Sequence, residues 1–345
     1  MISISAAKKN LELILFRIKN KNMEDKMSFN IIGTGSAYPK CVKSNEDLSK
    51  IIDTSDEWIS SRTGIKSRYV STSETISDFA FEAAERAIKD AGIKAEELDL
   101  IICSTVRGDY LTPSLACILQ KRLGAICPAF DINSACTGFV YALDIADSYF
   151  ISKKVKKVLV VSAEIMSKLL DWNDRSTCVL FGDGAGAAVL SEGGGLLSIK
   201  ITASGNTEAL NIENTEGCCP FSERPKAHQY LKMNGKEVYK FAVSSMCSDL
   251  TEVIKNAGLQ EEDVDFVLPH QANMRIIDTA KSKLNIPSEK YRYNISRFGN
   301  TSSASIPILL DEVNKNGELK KGDILALTAF GGGLTTGACV IRWQK

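Results

Sequence analysis

The chain repeats itself. Ala87-Ile88-Lys89-Asp90-Ala91-Gly92-Ile93 matches Val253-Ile254-Lys255-Asn256-Ala257-Gly258-Leu259, at an offset of 253 − 87 = 166. An apolar strand starting at Val158 matches one starting at Ile324, and 324 − 158 is again 166. The same step carries Cys136 onto Ser302, inside Gly299-Asn300-Thr301-Ser302-Ser303. A constant offset over separated segments specifies a duplicated α/β unit. Its two equivalent strand-to-helix turns then face one site across a pseudo-twofold axis. Near the ends of the halves, Gly186-Ala187-Ala188-Val189 matches Gly337-Ala338-Cys339-Val340 at the smaller offset 337 − 186 = 151. The first half therefore carries an extra segment of roughly one helix's length around 165–178. Such a segment caps a site or makes an oligomer contact.

The halves are expected at 27–197 and 198–345, with 1–26 as an extension outside the fold. That extension is basic, and its apolar run Leu13-Ile14-Leu15-Phe16 is too short and too charge-flanked for a signal peptide. Lys+Arg and Asp+Glu both number 42, so bulk charge provides no attraction for nucleic acid or an anionic membrane. No apolar run approaches the roughly 18 residues of a membrane span. The ten cysteines have neither metal-ligand spacing nor a disulfide framework, a reduced, cytosolic pattern. The stretch 204–232, with Gly217-Cys218-Cys219-Pro220, reads as a surface loop or lid.

Chemistry concentrates at strand ends. In Asp131-Ile132-Asn133-Ser134-Ala135-Cys136-Thr137-Gly138-Phe139 a strand passes through small residues to a cysteine and then a helix. The N-terminal end of that helix is expected to lower the thiol pKa. A lone cysteine is more often inert core; its neighbours and partners decide otherwise here. His270 ends the strand Val264-Asp265-Phe266-Val267-Leu268, where ligands bind in doubly wound units, whereas His228 reads as a surface residue. Asn300 stands at the repeat-equivalent turn, where a helix N-cap is the plainer reading. Phe330-Gly331-Gly332-Gly333-Leu334-Thr335 lacks the Lys-Ser/Thr of a phosphate loop. Those glycines better serve to bring a backbone N–H against a reacting carbonyl.

Taken together, Asn133-Ser134-Ala135-Cys136-Thr137-Gly138-Phe139, Pro269-His270-Gln271-Ala272-Asn273, Gly299-Asn300-Thr301-Ser302-Ser303-Ala304-Ser305 and Phe330-Gly331-Gly332-Gly333 resemble a β-ketoacyl-acyl-carrier-protein synthase III. The likeness runs from about residue 30 to 345. It implies a thiolase-like α/β fold, layered α-β-α-β-α, built from the two duplicated halves. It also implies a reaction. Cys136 takes the acyl group of a short acyl-CoA, acetyl-CoA by default. Malonyl-acyl-carrier protein then loses CO₂ with His270 and Asn300 on its thioester carbonyl, and its carbanion attacks the acyl-cysteine. The N–H groups of Cys136 and Gly332 would form the oxyanion hole.

The same resemblance assigns Thr54, Trp58, Arg62, Arg175, Asn273 and Phe330 to CoA and pantetheine, with Trp58 and Arg175 flanking the adenine. It assigns Arg275 to carrier-protein docking, and Thr112 and Phe181 to the acyl pocket. Thr112 and Thr336 are smaller than the aromatic residues common at those positions, which widens the acyl site. No metal and no resident cofactor are implied. The expected assembly is a homodimer through the strand near Phe130, in the cytoplasm. Other outcomes are a secondary-metabolism condensing enzyme of the same fold, a Cys-His-Asn hydrolase and a non-catalytic acyl-CoA binder.

Overall fold

Strands that are apolar at almost every position need cover on both faces, and this chain supplies helices in three layers to cover two sheets. The structure is a computed structural model that describes residues 28–214, 221 and 230–345. The extension 1–26, the Cys218-Cys219 pair and His228 lie outside the described residues. In chain order the first half forms β1 (Ser28–Ala37), α1 (Asp56–Thr63), α2 (Ile76–Ala91), β2 (Leu100–Ser104), α3 (Leu115–Leu123), β3 (Ala129–Ile132), α4 (Gly138–Ile151), β4 (Lys157–Ile165) and β5 (Asp183–Gly193). The second half forms β6 (Leu196–Asn206), α5 (Gly235–Asn256), β7 (Phe266–Pro269), α6 (Met274–Lys281), α7 (Ser305–Lys315), β8 (Ile324–Gly331) and β9 (Gly333–Arg342).

The first sheet has the order β1-β5-β4-β2-β3 and the second β7-β8-β9-β6. β5 and β6 belong to different sheets, so the chain passes from the first sheet to the second between Gly193 and Leu196. Helices α4 and α7 lie between the sheets. Phe139 and Leu143 of α4 and Ile306 and Leu310 of α7 share one core with Ile102 and Val160 of the first sheet and Leu325 and Leu327 of the second. Outside, α2 packs Ala80, Ala83 and Ala84 on the first sheet, and α5 packs Leu250 and Val253 on the second. The layering is α-β-α-β-α, the thiolase-like order.

The register corrects the repeat by one residue over part of its length. Gly92 and Gly258 end equivalent helices in the left-handed conformation, at 258 − 92 = 166. In the sheets, however, Leu100 pairs with Val158 while its counterpart Phe266 pairs with Leu325, so the third strands correspond at 325 − 158 = 167. The turns agree: Ala135 (φ 47°) corresponds to Ser302 (φ 51°), which is 302 − 135 = 167. Cys136 therefore corresponds to Ser303 rather than Ser302, and Asn300 corresponds to Asn133. One residue has been added to the second half between its second strand and this turn. The strand Ala129–Ile132 has only a single bridge, Val267 to Tyr291, as its counterpart.

Candidate active site

Cys136 sits on the short 3₁₀ turn Ala135–Thr137 before α4. Thr137 Oγ1–H bonds to Ser134 O (2.7 Å), and Thr335 Oγ1 reaches Gly332 O (2.9 Å) and Thr137 Oγ1 (3.0 Å). The cysteine turn and the glycine run are thus fastened to each other. Contact is closest at Gly331, where a Cβ would lie 2.8 Å from the Cys136 backbone nitrogen and 2.9 Å from its Cβ. Gly332 is less confined, with nothing nearer than 3.6 Å. Gly331→Ala is expected to displace Cys136 and slow acyl transfer by about 10²-fold, with KM for acyl-CoA little changed. Steady-state kinetics check it.

A cavity of about 790 Å³ opens over this turn, and Cys136, His270, Asn300 and Gly332 all line it. His270 follows β7, held by its N–H to Thr328 O (2.8 Å). Its Nδ1 lies 2.6 Å from Ser305 Oγ, which also receives the Gln271 N–H at 3.4 Å. Nδ1 is the one acceptor within reach of the Ser305 hydrogen among the described hydrogen bonds, and assigning that hydrogen to Nδ1 puts the ring proton on Nε2. Burial pushes the His270 pKa down to about 3, so the ring is neutral. Asn300 accepts the Ser302 N–H on Oδ1 (2.8 Å), and its own main chain is bonded to Leu180 O (2.8 Å) and Gly182 N–H (3.0 Å). That leaves the amide NH₂ as its free donor. A neutral His N–H and an amide NH₂ in one pocket stabilise an anion developing on a carbonyl oxygen.

The thiol departs from expectation. Burial pushes Cys136 up to about 12, with the Glu164 charge also raising it and a hydrogen bond with Ser302 lowering it. The helix terminus was expected to lower the thiol pKa, but removal from water dominates at this depth. Glu164, on β4 behind the cysteine, was not anticipated. Its carboxyl accepts Ser303 Oγ–H (2.6 Å), Ser302 Oγ–H (3.2 Å) and Val106 N–H (3.0 Å). Burial raises its pKa to about 7. Ser305 was likewise missed.

Of the other expected contacts, Trp58, Arg62, Asn273, Phe330, Arg275 and Phe181 line the cavity. Asn273 also caps α6 through the Arg275 N–H, so its plain structural role is real (2.9 Å). Phe330 meets the His270 ring edge-on at 5.3 Å. Thr54, Arg175 and Thr112 are not among the lining residues. Arg175 instead lies on Trp58, its guanidinium 5.2 Å from the ring centroid, and donates to Asp53 O (2.8 Å). A purine cannot enter between Trp58 and Arg175 until Arg175 swings outward. Thr336 does not widen the cavity either: its hydroxyl is paired with Thr202 across the sheet (2.6 Å), and Thr335 is the lining residue. The extra segment of the first half supplies wall residues Met166 and Ser176, with Val179 and Leu180 just beyond it. No cluster of His, Cys, Asp and Glu among the described residues has the makings of a metal site.

Residues 130–205 match the family described as 3-oxoacyl-[acyl-carrier-protein] synthase III, and residues 254–343 match its C-terminal part. A β-ketoacyl-[acyl-carrier-protein] synthase III of Clostridium acetobutylicum is 49% identical over 323 residues, covering 92% of this chain and 99% of that protein. The crystal structure of the Aquifex aeolicus 3-oxoacyl-[acyl-carrier-protein] synthase III superposes with a TM-score of 0.86 at 49% identity, covering 91% of this chain and 100% of that one. A priming β-ketosynthase of a polyketide biosynthetic pathway superposes with a TM-score of 0.87 at 34% identity, covering 92% of this chain and 97% of that one.

Proposed function

This chain belongs to the β-ketoacyl-[acyl-carrier-protein] synthase III family, and on that basis we infer that it is an acyltransferase condensing an acyl-CoA starter with malonyl-acyl-carrier protein to begin fatty-acid synthesis. The observation that carries the reading is the joining of Cys136, His270, Asn300 and Gly332 in one cavity. In the first half-reaction the Cys136 sulfur attacks the acyl-CoA thioester, and CoA leaves as the thiol. Thioester exchange is nearly balanced, which suits a thiol nucleophile. In the second, His270 Nε2–H and the Asn300 amide donate to the malonyl thioester oxygen. The charge released with CO₂ becomes a stabilised enolate, whose carbon attacks the acyl-cysteine. The Cys136 and Gly332 N–H groups take the resulting oxyanion.

Intact-protein mass after incubation with a panel of acyl-CoAs tests this directly. An acetyl-sized adduct on Cys136 is expected, discharged by malonyl-carrier protein with release of CO₂. An adduct cleared by water alone would mean a hydrolase. A longer adduct cleared by another acceptor would favour the second reading, a condensing enzyme of secondary metabolism. The likeness to the polyketide-priming synthase motivates that alternative.

Trp58, Arg62 and Arg175 bind the CoA nucleotide at the cavity mouth; Arg62 also lies over the Trp58 ring, 5.0 Å from its centroid. Arg62→Ala with Arg175→Ala is expected to raise KM for acyl-CoA about tenfold at nearly unchanged kcat, as fits two exposed cation–π partners. Arg275, exposed at the mouth beside Tyr239, meets the acidic carrier protein. The enzyme needs no resident metal or cofactor. Two copies pair through β3, which ends its sheet with one edge unpaired. The adjoining loop exposes Tyr110 (64%) and Leu111 (91%), and pairing would carry Thr112 towards the partner's acyl pocket. Sedimentation velocity is expected to give a dimer. We place the enzyme in the cytoplasm on its reduced cysteine pattern, all eight cysteines among the described residues being free.

A further inference from the structure

The reaction leaves one proton unaccounted for. A buried thiol must lose it as sulfur attacks the acyl group, and the neutral His270 is bound through Nδ1 to Ser305 and directed at the other substrate. Behind Cys136, on the side away from the cavity, lies a buried carboxyl that the condensation chemistry does not use. We propose that Glu164 is a positioning residue for Cys136, receiving the thiol proton through the Ser302 hydroxyl during acylation.

The geometry supports this step by step. The Ser302 hydroxyl stands close enough to the Cys136 sulfur to hold its pKa down, an effect that favours the thiolate once the proton has left. The same hydroxyl reaches Glu164 Oε1 at 3.2 Å. Ser303 holds that oxygen at 2.6 Å and the Val106 N–H holds Oε2 at 3.0 Å, which fixes the carboxyl plane. Ser302 keeps its place because its N–H is bound to Asn300 Oδ1 and its backbone adopts φ 51°, so one turn carries both the relay and an enolate donor. The groups facing the carboxyl are Ser302 and Ser303 from that turn, Val106 from the loop after β2, and the Cys136 thiol. No ion pair among the described residues involves Glu164. On the neighbouring strand, the Asp183 carboxyl is taken by Ser71 and Ser167. Glu164, raised to about 7, is matched to accept and return a proton at neutral pH.

The transfer balances. The thiol hydrogen passes to Ser302 Oγ as the Ser302 hydrogen passes to Glu164. The sulfur bonds to the acyl carbon, the carbon–sulfur bond to CoA breaks, and the proton returns from Glu164 to Ser302 Oγ as the Ser302 hydrogen, at the cavity wall, passes to the departing CoA thiolate. Glu164 ends ionised, and CoA leaves as the thiol.

The acyl-transfer part rests on the function proposed above, so the test begins with a reagent independent of it. Iodoacetamide alkylation of Cys136 is followed by mass against pH, in full-length protein. A buried thiol with no base reacts about ten times faster per pH unit towards its own pKa. With the relay, the rate is expected to level above about 7. Glu164→Gln should abolish that levelling and slow alkylation at pH 7.5 by 10- to 100-fold. Glu164→Asp should restore the inflection, and Ser302→Ala should reproduce the Gln variant. A carboxylate acting only through its charge predicts the opposite sign, because removing a negative neighbour makes the thiol more acidic. Equal or faster alkylation in Glu164→Gln therefore overturns the proposal. If that variant does not fold, Ser302→Ala decides alone, since it leaves the Ser303 and Val106 contacts intact; an unshifted inflection there overturns it too. In folded variants, acetyl transfer from acetyl-CoA should fall in step with alkylation, while malonyl decarboxylation stays within about twofold. Transfer absent in the wild type, with the inflection present, would remove the proposed function and leave the relay standing.

Discussion

Cys136→Ala is expected to leave no adduct with any acyl-CoA and to lower condensation by about 10⁴-fold or more, the scale of removing a covalent nucleophile. The effect should be chemical rather than structural. The residue keeps some surface on the cavity although its thiol lies deep, and its backbone is gripped by Gly331 and by the hydrogen bonds of Thr137 and Thr335, none of which needs the sulfur. Decarboxylation of malonyl-carrier protein should continue, because its donors stand on other elements. Intact mass measures the adduct and CO₂ release measures the second half-reaction in the same samples. The other cysteines serve as internal controls. Cys103 and Cys339 are buried in the sheet cores with thiols pushed well up, while exposed Cys117 lies on α3 and does not line the cavity. An adduct that persists in Cys136→Ala would transfer the nucleophile's role to another cysteine and undo the mechanism. Loss of both half-reactions together would show that the turn had collapsed.

What the residue order disclosed follows from what each kind of contact needs. The duplication was legible because strands covered on both faces tolerate little but apolar residues, so both copies kept their pattern at 158 and 324. The added residue in the second half was not legible. It falls in a connection where the copies no longer resemble each other, and the pairing of Phe266 with Leu325 and the matching turns at Ala135 and Ser302 locate it. Cys136, His270 and Asn300 announced themselves as polar residues at strand ends. Glu164 did not, because it lies one residue past the apolar run 158–163 and reads as the strand's exit to solvent. Only the fold turns it inward, against Ser302 and Ser303. The thiol pKa was misjudged for a related reason: a helix terminus is visible in a sequence, whereas the depth of water exclusion belongs to the assembled layers. Arg175 shows the same limit, since its position implies a purine clamp but not that it rests on Trp58 and Asp53 beforehand.

His270→Ala and Asn300→Ala are each expected to slow decarboxylation by 10²- to 10³-fold, the loss from deleting one preorganised donor to an oxyanion. Cysteine acylation should stay within a few-fold in His270→Ala, whereas Asn300→Ala also releases the Ser302 N–H and should slow acylation as well. The double variant should lose less than the product of the two, because both donors serve one enolate oxygen and the second deletion acts on a site already impaired. The pH profile separates this account from general acid catalysis. A cationic imidazolium would make the rate fall as pH rises through the ordinary histidine range. A ring held down to about 3 stays neutral, so the decarboxylation rate should be flat from pH 5 to 9. The same depression bears on stability with a definite sign. The folded state disfavours the protonated ring, so its contribution is full above about 6.5 and is lost as pH falls towards 3. His270→Gln, which cannot titrate, should narrow that acid sensitivity while leaving the neutral-pH melting temperature nearly unchanged. Ser305→Ala completes the argument. It frees Nδ1 to take the ring proton, turning an acceptor towards the enolate, so decarboxylation should fall about tenfold while the variant still binds malonyl-carrier protein. If that variant were as fast as the wild type, Ser305 would not set the tautomer, and the donor assigned to Nε2 would have to be fixed by the substrate itself.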